Sequence, residues 1–81
     1  MKEYLVIGKE SCPYCTKAKD LLGVLDAEYE YRDVTEVNSA DVAKLEALAG
    51  GEFRTVPQIF RLVDDKLTYV GGYRELSQSV I

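Results

Sequence analysis

Apolar and polar positions follow two different periods along this chain. Residues 3–7, Glu-Tyr-Leu-Val-Ile, form a short apolar run that stops at Gly8, the pattern of a buried strand. A loop through Ser11 follows. From Pro13 onward, Ala18, Leu21, Leu22 and Leu25 fall at i, i+3, i+4 and i+7, the stripe of an amphipathic helix. Proline suits the first turn of that helix because its missing N–H would have no intrahelical partner there. Residues 29–34, Tyr-Glu-Tyr-Arg-Asp-Val, carry strand-favouring side chains. Asn38 is suited to cap a second helix, with Asp41 in its first turn and Val42, Leu45, Leu48 and Ala49 on one face, until Gly50-Gly51 stops it. Pro57 to Leu62 and Leu67 to Val70 read as two short strands joined around Val63-Asp64-Asp65-Lys66, a hairpin. Gly71-Gly72 ends the second of them, and Arg74 to Ile81 leaves room for about two helical turns.

The order strand, helix, strand, helix, strand, strand, helix predicts an α/β fold with a mixed four-stranded sheet and three helices. The first strand–helix–strand unit is expected to be parallel and right-handed, with the hairpin adding an antiparallel edge. At 81 residues the chain holds one domain, expected to span residues 1–81, and a chain this short removes roughly 60% of its unfolded surface from water. With 47% hydrophobic and 30% charged residues it has the composition of a globular fold rather than a disordered one.

Composition narrows the chemistry. Ten basic against fourteen acidic side chains give a formal charge of −4, which repels phosphate backbones and argues against general nucleic-acid binding. The chain has no histidine, which removes serine–histidine triads, cysteine–histidine proteases and histidine-ligated metal sites. The early apolar run Leu5-Val6-Ile7 is far shorter than a membrane span, and Met1-Lys2-Glu3 lacks a signal pattern, so the expectation is a cytoplasmic protein without membrane association.

Cys12-Pro13-Tyr14-Cys15 stands where the first loop meets the first helix. Cys12 falls at the N-cap, where an anionic sulfur accepts from the amide of Tyr14 or Cys15 and sits at the positive end of the helix dipole. Cysteines so placed ionise at about 3.5 to 7.5 rather than about 8.5, which makes Cys12 a ready nucleophile. Cys15 lies three residues before Ala18 and begins the buried stripe, so its thiol is expected to be shielded. Side chains at i and i+3 of a helix are close enough for a disulfide. The asymmetry assigns roles: Cys12 attacks a disulfide, and Cys15 resolves the mixed disulfide by attacking Cys12. Such exchange needs an ionised thiol and a second positioned thiol, not a histidine base. Half of a zinc site is the competing use of the pair, but no third cysteine or histidine completes it.

Other features read two ways. Only about 5–6% of X–Pro bonds in folded proteins are cis, so Thr55-Val56-Pro57 by itself argues for a trans proline entering a strand. Gly71-Gly72 reads as a plain turn or as an anion nest, and Arg74, a cation in a helix's first turn, tilts the reading toward the nest. Lys9 either supports the thiolate, holds a carboxylate or faces water. Tyr4, Tyr29, Tyr31 and Tyr69 read as core or edge packing, whereas Tyr14 and Tyr73 adjoin the proposed site.

Taken together, Gly8-Lys9 ahead of Cys12-Pro13-Tyr14-Cys15, then Thr55-Val56-Pro57-Gln58-Ile59-Phe60, then Gly71-Gly72-Tyr73 resemble a glutaredoxin of the dithiol type over nearly the whole chain. The resemblance implies a thioredoxin fold and a cis Pro57 packed against the active-site disulfide, overriding the base rate above. It implies glutathione as reducing co-substrate, no permanently bound cofactor and no metal. Lys9 would then pair with the glycine carboxylate of glutathione. Thr55 and Val56 would meet its backbone as an added strand does, beside Pro57. Gly71, Gly72 and the start of the last helix would receive its γ-glutamyl carboxylate, with Tyr14 flanking the sulfur and Tyr73 beside it. Arg74-Glu75 stands where many glutaredoxins carry a threonine or aspartate followed by an acid, which removes an acceptor for the γ-glutamyl amine and adds a cation for the carboxylate.

The function so implied is glutathione-dependent reduction of protein disulfides and glutathione mixed disulfides by a monomer, with ribonucleotide reductase among the conceivable clients. Two alternatives stand beside it. Glutaredoxin-like redoxins that take electrons from thioredoxin reductase often show an aromatic–arginine pair after the glycine, as Tyr73-Arg74 does here. Iron–sulfur modules of the family hold a cluster through the equivalent of Cys12 and added glutathione, but usually carry a smaller or more permissive residue where this chain has Pro13.

Overall fold

In the computed structural model, which describes residues 2–79, the chain runs β1 (Tyr4–Gly8), α1 (Pro13–Val24), β2 (Tyr29–Asp33), α2 (Ser39–Ala49), β3 (Gln58–Val63), β4 (Lys66–Gly71) and α3 (Tyr73–Ser79). The element order and kind are those expected from the sequence. The last two positions of the expected final helix, Val80 and Ile81, lie outside the described residues. The sheet order is β2-β1-β3-β4, with β1 parallel to β2 and antiparallel to β3, and β3 antiparallel to β4.

β1 is apolar at nearly every position because both of its faces are covered. Tyr4 and Val6 point with Ile59 toward Ala18 and Leu22 of α1 and Leu76 of α3. Ile7 points the other way, with Phe60, toward Leu45 of α2, where Leu5, Phe53 and Leu67 pack around them. Successive strand side chains face opposite sides of a sheet, so β1 feeds both half-cores at once. The result is three layers, with α1 and α3 on one face and α2 on the other.

Helix ends follow local chemistry. Asn38 Oδ1 accepts from the Asp41 amide at 2.9 Å, and Gly50 closes α2 in the left-handed conformation at φ 87°. The hairpin is tighter than expected: its strands reach Val63 and Lys66, and Asp64 and Asp65 both take positive φ, 51° and 64°, the conformation a two-residue turn demands. Two expected core positions are exposed. Leu25 caps α1 at 42% exposure and Leu48 lies at 49%, since the buried stripes are narrower than the apolar ones: Cys15, Ala18 and Leu22 on α1, Leu45 on α2.

Candidate functional site

Ser11, at φ 61°, turns the chain between β1 and α1 so that Cys12 adopts an extended backbone and caps the helix. The Cys15 amide donates to Cys12 Sγ at 3.2 Å, and the first helical bond runs from Thr16 N to Cys12 O at 3.2 Å. Of the two amides that could serve the cap, Cys15 N–H is the one used. The sulfurs of Cys12 and Cys15 are bonded to each other across a Cα–Cα distance of 5.2 Å. Their surroundings differ as expected: Cys15 is 1% exposed, while Cys12 is only part-buried and reachable from solvent.

The Val56–Pro57 peptide bond is cis, contrary to what the proline base rate alone argues and in line with the family resemblance. The loop it ends brings Val56 O to 3.6 Å from Cys12 Sγ. That oxygen can accept from a thiol but repels a thiolate, so it opposes the Cys15 amide and the helix N-terminus. The loop is tied down by Gln58, the buried polar side chain of the sheet, whose Nε2 donates to Thr55 O at 2.8 Å and whose Oε1 accepts from the Tyr69 hydroxyl at 2.6 Å. Burial of the Tyr69 phenol, and behind it the Glu75 carboxylate, raises its ionisation above the ordinary value of 10.0, so it remains a donor at neutral pH. Tyr69 therefore does more than pack an edge.

Two open depressions flank the disulfide. One, of about 490 Å³, is floored by Thr55, Val56 and Pro57 and walled by Tyr14, Tyr73 and the stretch Gly72 to Glu75. The Tyr14 and Tyr73 rings face each other at 6.2 Å between centroids. Gly72 lies close against Pro57, since a Cβ added there would be 3.6 Å from Pro57 O. Thus Tyr14, Thr55, Val56, Pro57, Gly72, Tyr73, Arg74 and Glu75 come together around one groove, with Gly71 buried behind it. At the Gly72 end a contact is already made: Glu75 Oε1 accepts from Gly72 N at 2.9 Å, and Leu76 N donates to Gly72 O at 3.0 Å, so Gly72 is the N-cap and Glu75 the side chain that folds back on it. The sequence reading of Gly71-Gly72 as a plain turn or an anion nest did not foresee this contact, although an acid three residues after a cap is its signature.

The other depression, of about 570 Å³, lies between α1 and β2, and Lys9 belongs to it rather than to the groove. It holds Cys12, Cys15, Lys19, Tyr31 and Asp33. Hydrogen bonds from the Thr35 hydroxyl and amide, with Lys9 nearby as a weaker influence, hold the Asp33 carboxyl below its ordinary value of 3.8, so it stays charged. Tyr31, read from the sequence as packing, reaches this site. Its visible signal was a side-chainless Gly8 at the end of the strand that β2 pairs with. Among the described residues no cluster of three or more His, Cys, Asp or Glu side chains could hold a metal ion.

Comparison with known proteins agrees with this geometry. The Glutaredoxin family profile matches residues 4–68. Glutaredoxin 1 of Escherichia coli (strain K12) is 36% identical over 78 residues, covering 90% of this chain and 86% of that protein. The structure of reduced Escherichia coli glutaredoxin, at 36% identity, superposes with a TM-score of 0.71 over 99% of this chain and 93% of the other. The crystal structure of a buckwheat glutaredoxin–glutathione complex, at 26% identity, gives a TM-score of 0.73 over 96% of this chain and 67% of that one.

Proposed function

Since this chain belongs to the glutaredoxin family of thiol–disulfide oxidoreductases and has its thioredoxin fold, we propose that it is a dithiol enzyme that reduces protein disulfides and protein–glutathione mixed disulfides with glutathione. The observation that carries the reading is the asymmetry of the pair: Cys12 is accessible and capped by the Cys15 amide at 3.2 Å, while Cys15 is 1% exposed.

Cys12 thiolate attacks one sulfur of the client disulfide, the second client sulfur leaves with the electron pair and takes a proton, and a mixed disulfide remains. Cys15, as thiolate, then attacks Cys12 Sγ, releases the other client thiol and leaves the Cys12–Cys15 bond. Two glutathione thiols reopen it and end as glutathione disulfide. Glutaredoxin potentials of about −200 to −230 mV suit this recharge in a cytoplasmic glutathione pool, the compartment we assign, with the enzyme acting as a monomer and ribonucleotide reductase among its clients. The groove suits an extended tripeptide, whose backbone would pair with Thr55 and Val56 beside Pro57. Tyr14 and Tyr73 would flank it, and Gly71, Gly72, Arg74 and Glu75 would meet its γ-glutamyl end. Lys9 would have to reach the glycine carboxylate from the opposite side of Cys12.

One observation favours a second electron source. Glu75 holds the Gly72 amide, the donor a γ-glutamyl carboxylate would use, and Tyr73-Arg74 follows the glycines. A redoxin recharged by thioredoxin reductase has no need of that donor. Turnover with glutathione, glutathione reductase and NADPH supports the first reading. Absence of turnover there, with turnover on thioredoxin reductase and NADPH, replaces it with the second. Cys12→Ser is expected to abolish activity, and Cys15→Ser to spare deglutathionylation while removing two-thiol protein reduction. A Cys15→Ser enzyme dead in both assays refutes the division of roles.

A further inference from the structure

When a thiolate from solvent opens the Cys12–Cys15 disulfide, its sulfur bonds to Cys12, the sulfur–sulfur bond breaks, and the electron pair passes to Cys15 Sγ. That sulfur is 1% exposed, and a thiolate formed out of water is costly. The helix cap does not serve it, since the Cys15 amide points at Cys12 Sγ. Nor does the surrounding charge. In the depression beside it, Lys9 and Lys19 are set against the carboxylates of Glu10, Asp33 and Glu36, and Arg32 is paired with Glu30. A buried leaving sulfur in a field with no positive excess needs a local donor.

The group nearest to that role stands across Gly8. A Cβ placed on Gly8 would lie 2.8 Å from Cys15 Sγ and 2.9 Å from the Tyr31 hydroxyl oxygen, so the sulfur and the phenol oxygen both border the space that a side chain at Gly8 would fill. We propose that the Tyr31 hydroxyl donates a hydrogen bond to Cys15 Sγ as the disulfide opens, and again when Cys15 attacks Cys12 in the reverse sense.

Three observations support this. Tyr31 is held by the parallel register of β1 and β2, where it sits opposite Val6, two residues before Gly8 on the same face. Lys19 Nζ lies 4.3 Å from the ring centroid, over the face of the ring, and restrains it there. Burial, followed by the Asp33 and Glu10 carboxylates, keeps the phenol protonated beyond its ordinary range. A disulfide sulfur is a poor acceptor and a thiolate a strong one, so the bond forms as charge arrives.

The proposal rests on the dithiol reading of Cys12 and Cys15 but not on glutathione, so its test uses dithiothreitol. Opening of the oxidised protein is followed by acid quench and mass spectrometry, and the Cys15 thiol is titrated by iodoacetamide rates in a Cys12→Ser background. Tyr31→Phe is expected to raise the Cys15 pKa by about one unit and to slow opening roughly three- to tenfold. Cys12 alkylation in a Cys15→Ser background is expected to stay the same, which a general loss of structure would not allow. Should Tyr31→Phe fold poorly, 3-fluorotyrosine at residue 31, a stronger donor of nearly the same shape, is the second variant, and it is expected to lower the Cys15 pKa and speed opening. Unchanged Cys15 titration and opening, or an equal loss of Cys12 reactivity, overturns the proposal.

Discussion

The Tyr69 hydroxyl donates to Gln58 Oε1 at 2.6 Å, and through it β4 sets the loop that presents Val56 to Cys12, because the same amide group donates to Thr55 O at 2.8 Å. Losing one partner of a buried amide costs about 1 kcal/mol, and Tyr69 is partly exposed, which favours the low end. Tyr69→Phe is therefore expected to lower stability in urea by about 0.5–1 kcal/mol and to raise KM for disulfide substrates more than it lowers kcat. The pH dependence has a definite sign. The folded state raises the Tyr69 pKa, so this contribution is complete below pH 10 and is lost as pH rises through the folded value. Urea midpoints measured from pH 8 upward are expected to fall at the alkaline end in the parent and to fall less in Tyr69→Phe. Identical curves would remove Tyr69 from the account.

Cys12 is under opposing influences that distance ranks. The amide of Cys15 lies at 3.2 Å with the helix behind it, and the carbonyl of Val56 stands further off at 3.6 Å. The reduced thiol is expected to titrate below the ordinary value of about 8.5, read from iodoacetamide rates between pH 4 and 10. A midpoint at or above 8.5 would mean that the carbonyl outweighs the cap.

Glu75 joins a structural role to a functional cost. Its carboxylate caps Gly72, and removing such a cap destabilises a helix by roughly 0.5–2 kcal/mol. Glu75→Ala is expected to lose stability in that range. It is also expected to lower KM for glutathione several-fold at similar kcat, since the freed amide can receive the γ-glutamyl carboxylate. A raised KM would show instead that the carboxylate itself binds the co-substrate.

Gly8 packs closely beside the disulfide. In Gly8→Ala the new methyl would stand 2.8 Å from Cys15 Sγ, which its bond to Cys12 holds in place, and 2.9 Å from the Tyr31 hydroxyl oxygen, which must swing aside. Overpacking of this kind costs about 1–3 kcal/mol, read in urea, and closure of the disulfide in air is expected to slow. A variant as stable as the parent would show that the two layers separate easily.

The element order, the α1 and α2 caps and the two cysteine environments were legible in the sequence. Each depends on interactions within a few residues: the spacing of apolar side chains, proline after a cap, glycine after a helix. Cys15 is buried because it starts the stripe that continues through Ala18 and Leu22, and its position relative to Cys12 follows from helix geometry alone. Leu25 and Leu48 read wrongly for the complementary reason, since an apolar side chain near a helix end is buried only if another element happens to cover it.

What residue spacing determined, then, was which sulfur is exposed and which is sheltered, because a helix of twelve residues carries its own geometry. The cis geometry of the Val56–Pro57 bond came from family resemblance, against the odds for a proline taken singly. The tertiary structure decided what surrounds the pair. Gln58 bridges β4 to the Thr55 loop, Glu75 occupies the Gly72 amide, and Tyr31 and Cys15 both border the space beside Gly8. Contacts between separate elements, and side-chain bonds such as that of Glu75, have no period along the chain. They arise only when strands pair in register and helices pack against them.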